Sequence, residues 1–180
     1  MTQGRRLVVF TDLDGTLLSH EGYDWAPAWP AIAALKARGV PLVFTSSKTR
    51  SEIERWRRRM GNTDPFISEN GGALWIPAGL GLPAAGAVRI GGYDRVAIGT
   101  PYNRLRQALP RLAEAVGIPL RGFADMSDAE IVERTGMTAD EIGPARHREY
   151  DEPFVPARPL TPSEERHLEQ AAASSGLRIT

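Results

Sequence analysis

Leu7-Val8-Val9-Phe10-Thr11-Asp12-Leu13-Asp14-Gly15-Thr16 is the stretch whose reading decides the fold. Four apolar residues in a row, bounded by polar ones, predict a strand buried on both faces, the kind found in parallel sheets. Ligands of open parallel sheets bind at the carboxyl ends of the strands, where this stretch places Asp12 and Asp14. A two-residue offset in extended chain puts both carboxylates on one side, roughly 6–7 Å apart at about 3.3 Å per residue. That spacing suits a shared cation and a phosphate. Asp12 is the candidate carboxylate nucleophile, able to form an aspartyl-phosphate. Asp14 is the candidate acid that protonates a leaving oxygen and then activates water. Gly15 allows a sharp turn that aims backbone amides at an anion. Asp-Gly alone also signals a plain turn. A calcium loop would need a third acidic or amide ligand and a flanking helix, and the stretch has neither.

Working outward, a helix is predicted over 31–38, with Gly39 as its cap, followed by a second buried strand over 41–44. Thr49 and Glu52 have capping-box spacing and open a helix to Met60; Ile53, Trp56 and Met60 form its apolar stripe, and Gly61 stops it. Arg57-Arg58-Arg59 read as the wet face of that helix. Phe66-Ile67 predicts a third strand. Strand, helix, strand, helix, strand implies a parallel sheet with right-handed crossovers. The Gly-, Ala- and Pro-rich residues 77–92 read as a connection into a second unit. That unit is predicted to hold strands at 96–98, 120–126 and 177–180, an extended stretch over 149–155, and helices opened by Pro101, Ser127/Glu130, Thr138/Glu141 and Pro162. Domain limits of 1–85 and 86–180 follow.

Composition narrows the function classes. The chain has 180 residues, 22 basic against 22 acidic, a net charge of +0 and no cysteine. A balanced charge argues against a nucleic-acid surface. The missing cysteine excludes disulfides, thiolate zinc sites and cysteine nucleophiles. No apolar run is long enough to span a bilayer or form a secretory leader, so a cytoplasmic protein without a membrane partner is expected. Oligomeric state is not legible.

A second chemical signal lies after the second strand, at Thr45-Ser46-Ser47-Lys48-Thr49. A hydroxyl between a strand end and a helix N-terminus can hold a phosphate oxygen where the helix dipole favours anions. Ser46, Ser47 and Lys48 are the candidate phosphate-binding residues, and Thr49 reads as the helix cap. Glu69-Asn70-Gly71-Gly72 falls at the same sheet edge after the third strand. There Asn70 supplies donor and acceptor, and Gly71 permits close backbone approach to a ligand.

The D-L-D-G-T of residues 12–16 resembles the first motif of haloacid dehalogenase-type phosphatases, and Ser46 matches their second. Three further stretches resemble the mannosyl-3-phosphoglycerate phosphatase family: T-S-S-K-T-R at 45–50, G-F-A-D-M-S at 122–127 and R-E-Y-D-E-P-F at 148–154. The resemblance covers nearly the whole chain. It implies an α/β fold, a Rossmann-like parallel-sheet core with an inserted α/β cap. The implied reaction is magnesium-dependent hydrolysis of mannosyl-3-phosphoglycerate, with Asp12 and Asp14 at the metal. The alternatives are a phosphatase of another sugar phosphate, such as glucosyl-3-phosphoglycerate, and a truncated non-catalytic module that binds a sugar phosphate. In the implied cap, Arg148 and Arg146 would fork a substrate carboxylate, Asp125, Glu149 and Asp151 would take hydroxyls, and Tyr150 would stack on the sugar.

The chain departs from the superfamily in two places. No lysine follows residue 50, so the third-motif lysine is missing, and the fourth-motif acidic pair is missing with it. Asp125-Met126-Ser127-Asp128 mimics an acidic pair, but the resemblance assigns it to the cap. These 180 residues are therefore expected to be the N-terminal part of a longer enzyme, poorly active alone and with apolar surface left exposed.

Overall fold

The computed structural model describes residues 7–19 and 22–180. Two compact units divide between Ile98 and Gly99. The first begins with the expected alternation: β1 (Val9–Thr11), α1 (Trp29–Ala37), β2 (Leu42–Thr45), α2 (Arg50–Met60) and β3 (Phe66–Ser68). β1 pairs with β2 and β2 with β3, both parallel. Helix α2 starts where the sequence predicts. Thr49 accepts from the Glu52 amide, and the Glu52 carboxylate accepts in return from the Thr49 amide at 2.9 Å. It ends at Gly61, whose φ of 60° is left-handed, a conformation that costs glycine little.

Beyond β3 the chain reverses. β4 (Ala73–Pro77) runs antiparallel to β3, and β6 (Tyr93–Ala97) pairs antiparallel with both β4 and β5 (Val88–Ile90). The six strands take the order β1-β2-β3-β4-β6-β5. The sheet is thus mixed, three parallel strands continued by three antiparallel ones in which β6 lies between β4 and β5, and with its helices it makes the α/β fold expected. Phe44, Phe66, Ile53 and Trp75 are fully buried in it. The Trp75 indole donates to Ser68 Oγ at 2.9 Å.

Three sequence expectations change in this unit. First, β5 and β6 belong to the first sheet, because β6 pairs with β4 along its whole length. The structural division therefore falls at 98/99 and not at 85/86. Second, β1 is an edge strand among the described residues. Phe10 is 62% exposed and Leu7 60%, not buried on both faces. Third, Arg57 is buried instead of wet. Its guanidinium lies over the Phe66 ring and donates to Asn62 Oδ1, the Tyr93 hydroxyl and the Asp64 carbonyl. Burial pulls its pKa down, and the Tyr93 hydroxyl works against that shift.

The second unit holds α3 (Tyr102–Val116), β7 (Leu120–Gly122), α4 (Asp128–Thr135), α5 (Ala139–Arg146), β8 (Phe154–Pro156) and α6 (Pro162–Ser174). β7 and β8 form an antiparallel pair. The capping boxes at Ser127/Glu130, Thr138/Glu141 and Thr161/Glu164 all close. Residues 177–180 form no strand; Leu177 and Ile179 instead pack on the cluster of Leu112, Leu168 and Ala172.

Candidate active site

Parallel pairing sets Thr11 opposite Phe44, so β1 and β2 end side by side. The Thr45 hydroxyl donates to the Thr11 carbonyl at 3.2 Å and ties the two ends together. The Asp12 loop leaves one strand and the Ser46 loop leaves the other. Leu13 and Leu18, both 0% exposed, anchor the first loop in the core, and the Leu18 amide donates to the Leu13 carbonyl at 2.8 Å. Gly15 turns it with a φ of 68°. This anchoring leaves the Asp12 carboxylate exposed to solvent. Its Oδ1 accepts from the Leu13 amide at 2.6 Å, which restrains the carboxylate.

On the neighbouring loop, Ser46 is buried, and its amide donates to the Ile67 carbonyl at 3.1 Å. Its Oγ accepts from the Lys48 amide at 3.2 Å. Lys48 reaches across to the first loop, where Nζ stands 3.0 Å from Asp14 Oδ1. Burial would draw the Lys48 pKa down, but the hydrogen bond and charge of Asp14, joined by the Glu52 carboxylate, outweigh it and hold the ammonium charged. Ser47 is exposed beside them. The third loop closes in from β3: the Glu69 amide donates to the Lys48 carbonyl at 3.1 Å, and the Asn70 amide to the Ser46 carbonyl at 3.2 Å. Gly71 follows with a φ of 94°.

One sheet edge thus gathers an exposed, oriented carboxylate, a second carboxylate, an ammonium and a helix N-terminus, a set suited to phosphate chemistry. Asp12 and Asp14 are hard oxygen donors. Magnesium ordinarily takes one or two carboxylates and fills its shell with water and phosphate oxygens, so this pair fits it. Residues 9–77 match the haloacid dehalogenase-like hydrolase family.

The chain carries a haloacid dehalogenase-like domain.

The relatives carry the likeness beyond that domain. A glucosyl-3-phosphoglycerate/mannosyl-3-phosphoglycerate phosphatase of Methanococcoides burtonii is 38% identical over 82% of this chain and 54% of its own length. One of the same name from Persephonella marina is 34% identical over 97% of this chain and 63% of its own. A mannosyl-3-phosphoglycerate phosphatase of Pyrococcus horikoshii is 36% identical over 81% of this chain and 58% of its own. The chain thus spans little more than half the length of these relatives. Among solved structures, a subclass IIB sugar phosphatase of the superfamily superposes with a TM-score of 0.56 at 14% identity, covering 92% of this chain and 63% of that one. That last likeness concerns the fold alone.

Outside the haloacid dehalogenase-like domain, the second unit puts its candidates in unequal settings. Asp125 is half-exposed, and both its oxygens accept from Arg106, at 2.6 and 2.8 Å. The hydrogen bond from Arg106 holds the Asp125 carboxyl below its usual range. Arg148 is 8% exposed at its side chain and donates to the Ala145 carbonyl and to Asp151. Arg146 donates to the Phe123 and Met126 carbonyls and to Asp128. Tyr150 is itself 8% exposed. Arg148 and Tyr150 therefore offer little surface to a carboxylate or a sugar face, because each is turned into its own unit's packing.

Sequence reasoning passed over Arg106 and Glu152. Arg106 also donates to Glu152 at 2.9 Å, and Glu152 pushes the Tyr102 hydroxyl pKa up together with burial, which contributes most. An arginine five residues into a helix opened by Pro101 carries no local mark of this role; only the approach of α3 to the Glu152 loop creates it.

Proposed function

We propose that the chain belongs to a cytoplasmic, magnesium-dependent phosphatase that hydrolyses mannosyl-3-phosphoglycerate to mannosylglycerate and phosphate. The observation that carries the reaction type is the exposed Asp12 carboxylate, fixed through Oδ1 by the Leu13 amide and adjacent to the Ser46 loop. Asp12 Oδ2 attacks phosphorus, the bond to the glycerate oxygen breaks, and Asp14 gives that oxygen its proton. Water then attacks the aspartyl-phosphate, returns a proton to Asp14 and releases phosphate with Asp12 regenerated. Ser46, Ser47 and Lys48 hold the phosphoryl oxygens at the N-terminus of α2. Asp12 and Asp14 would hold magnesium, which neutralises phosphate charge when bound. Asn70, Gly71 and Asp125 serve substrate binding, Asp125 as an acceptor for sugar hydroxyls.

The substrate reading draws on the relatives named above. Two of them carry glucosyl-3-phosphoglycerate in their names beside the mannosyl compound, so the glucosyl ester is the second reading. Phosphate release measured with both esters, with mannose 6-phosphate and glycerol 3-phosphate as comparators, tests it. Preference for the mannosyl ester supports the first reading and parity of the two the second; preference for a comparator contradicts both.

A further inference from the structure

Among the described residues, three non-glycine positions have positive φ: Tyr23 at 52°, Glu69 at 51° and Asn70 at 56°. Side chains avoid this region unless the surroundings enforce it, and such positions concentrate at functional sites. All three meet the Ser46–Lys48 segment. Glu69 and Asn70 do so through their amides. Tyr23 does so with its ring, whose centroid lies 5.0 Å from Lys48 Nζ.

The backbone around Tyr23 is held by exchange between Ser19 and Asp24. The Ser19 amide donates to the Asp24 carbonyl at 2.9 Å, and the Asp24 amide to Ser19 Oγ at 3.0 Å. Asp24 Oδ1 further accepts from the Ala26 amide at 2.9 Å. The ring also lies against Trp56 of α2, with centroids 6.0 Å apart. A tyrosine kept at positive φ between a tryptophan and an ammonium has a restricted orientation. Lys48, by contrast, has a flexible four-carbon stem whose free ammonium would sample many positions. An aromatic face on one side and a carboxylate on the other fix it.

We propose that Tyr23 is a positioning residue of the phosphatase site: its ring holds the Lys48 ammonium against Asp14, where the cation meets an incoming phosphoryl group. This rests on the phosphatase reading, and Tyr23 acts through Lys48 without touching the reacting atoms.

Lys36 and Lys48 are the two lysines of the chain, so isotope-labelled lysine reports Lys48 directly. In the full chain, the Lys48 ε-methylene protons should resonate upfield through the ring current, keep that shift in Tyr23→Phe and lose it in Tyr23→Leu, with Lys36 unmoved. For turnover, Tyr23→Leu should lower kcat about tenfold with a smaller change in KM, and Tyr23→Phe should stay within about twofold of wild type. Tyr23→Leu combined with Lys48→Met should be no slower than Lys48→Met alone. A Lys48 resonance unchanged in Tyr23→Leu overturns the proposal, as do additive losses in the double variant. If the wild-type chain releases no phosphate from any ester, the lysine resonance alone decides the Tyr23 contact.

Discussion

Arg57 shows how far a residue's role can lie from its local pattern. In a run of three arginines it reads as solvated, yet its neighbours turn it inward, where it satisfies the Tyr93 hydroxyl, the Asp64 carbonyl and Asn62. Arg57→Met keeps most of the length and removes the donors. It is expected to destabilise the first unit by about 2–4 kcal/mol, because buried acceptors lose their partner; a shifted urea midpoint with an unchanged slope would show it. Asp125 makes a separate claim about pH. Its folded pKa lies below the unfolded value of about 4, so its pairing with Arg106 contributes stability that is present above that value and lost as pH falls through the folded pKa. The half-exposed carboxylate is screened, so the contribution is small. Thermal melts between pH 2 and 6 should therefore show a shallower acid-side decline in Asp125→Asn than in the parent chain.

At the scale of elements, Gly122 in β7 illustrates a constraint invisible in the sequence. A Cβ built there would collide with Glu152 Oε1 and an Arg106 nitrogen, and meet Leu109 at 2.9 Å. Gly122→Ala should loosen the Arg106–Glu152–Asp125 network and cost about 1–3 kcal/mol of stability, read as a lowered melting temperature. The elements that position the candidate site were legible, since their signals are local: an apolar run before Asp12, a capping box at Thr49/Glu52, a glycine stop at Gly61. β4, β5 and the place of β6 in the first sheet were not. Ala73–Pro77 is short, and the Gly- and Pro-rich residues after it read as a linker. What makes β4 a strand is the burial of Ala73, Trp75 and Ile76 between β3 and β6, a long-range condition. Tyr23 was missed for a like reason. A positive-φ tyrosine in a Pro- and Trp-rich stretch leaves no mark until the fold brings Lys48 above its ring.

At the scale of the molecule, the chain divides into two compact units between Ile98 and Gly99. The first unit holds the candidate nucleophile Asp12, the candidate acid Asp14 and the Lys48 ammonium, and the second unit holds Asp125, oriented by Arg106. Among the described residues β1 is the edge strand of the first unit's sheet and leaves Phe10 62% exposed, and no described helix is long and apolar enough to cross a membrane. The central claim is that Asp12 becomes phosphorylated. It is tested most directly by quenching the chain in acid during turnover of mannosyl-3-phosphoglycerate carrying labelled phosphate, then reducing with borohydride and sequencing the peptide over 7–19. Label trapped in the acid-quenched parent chain and absent from Asp12→Asn, then displaced by borohydride as Asp12 becomes homoserine, is the predicted result. Phosphate released at an undiminished rate by Asp12→Asn, or label on any other residue, would contradict it.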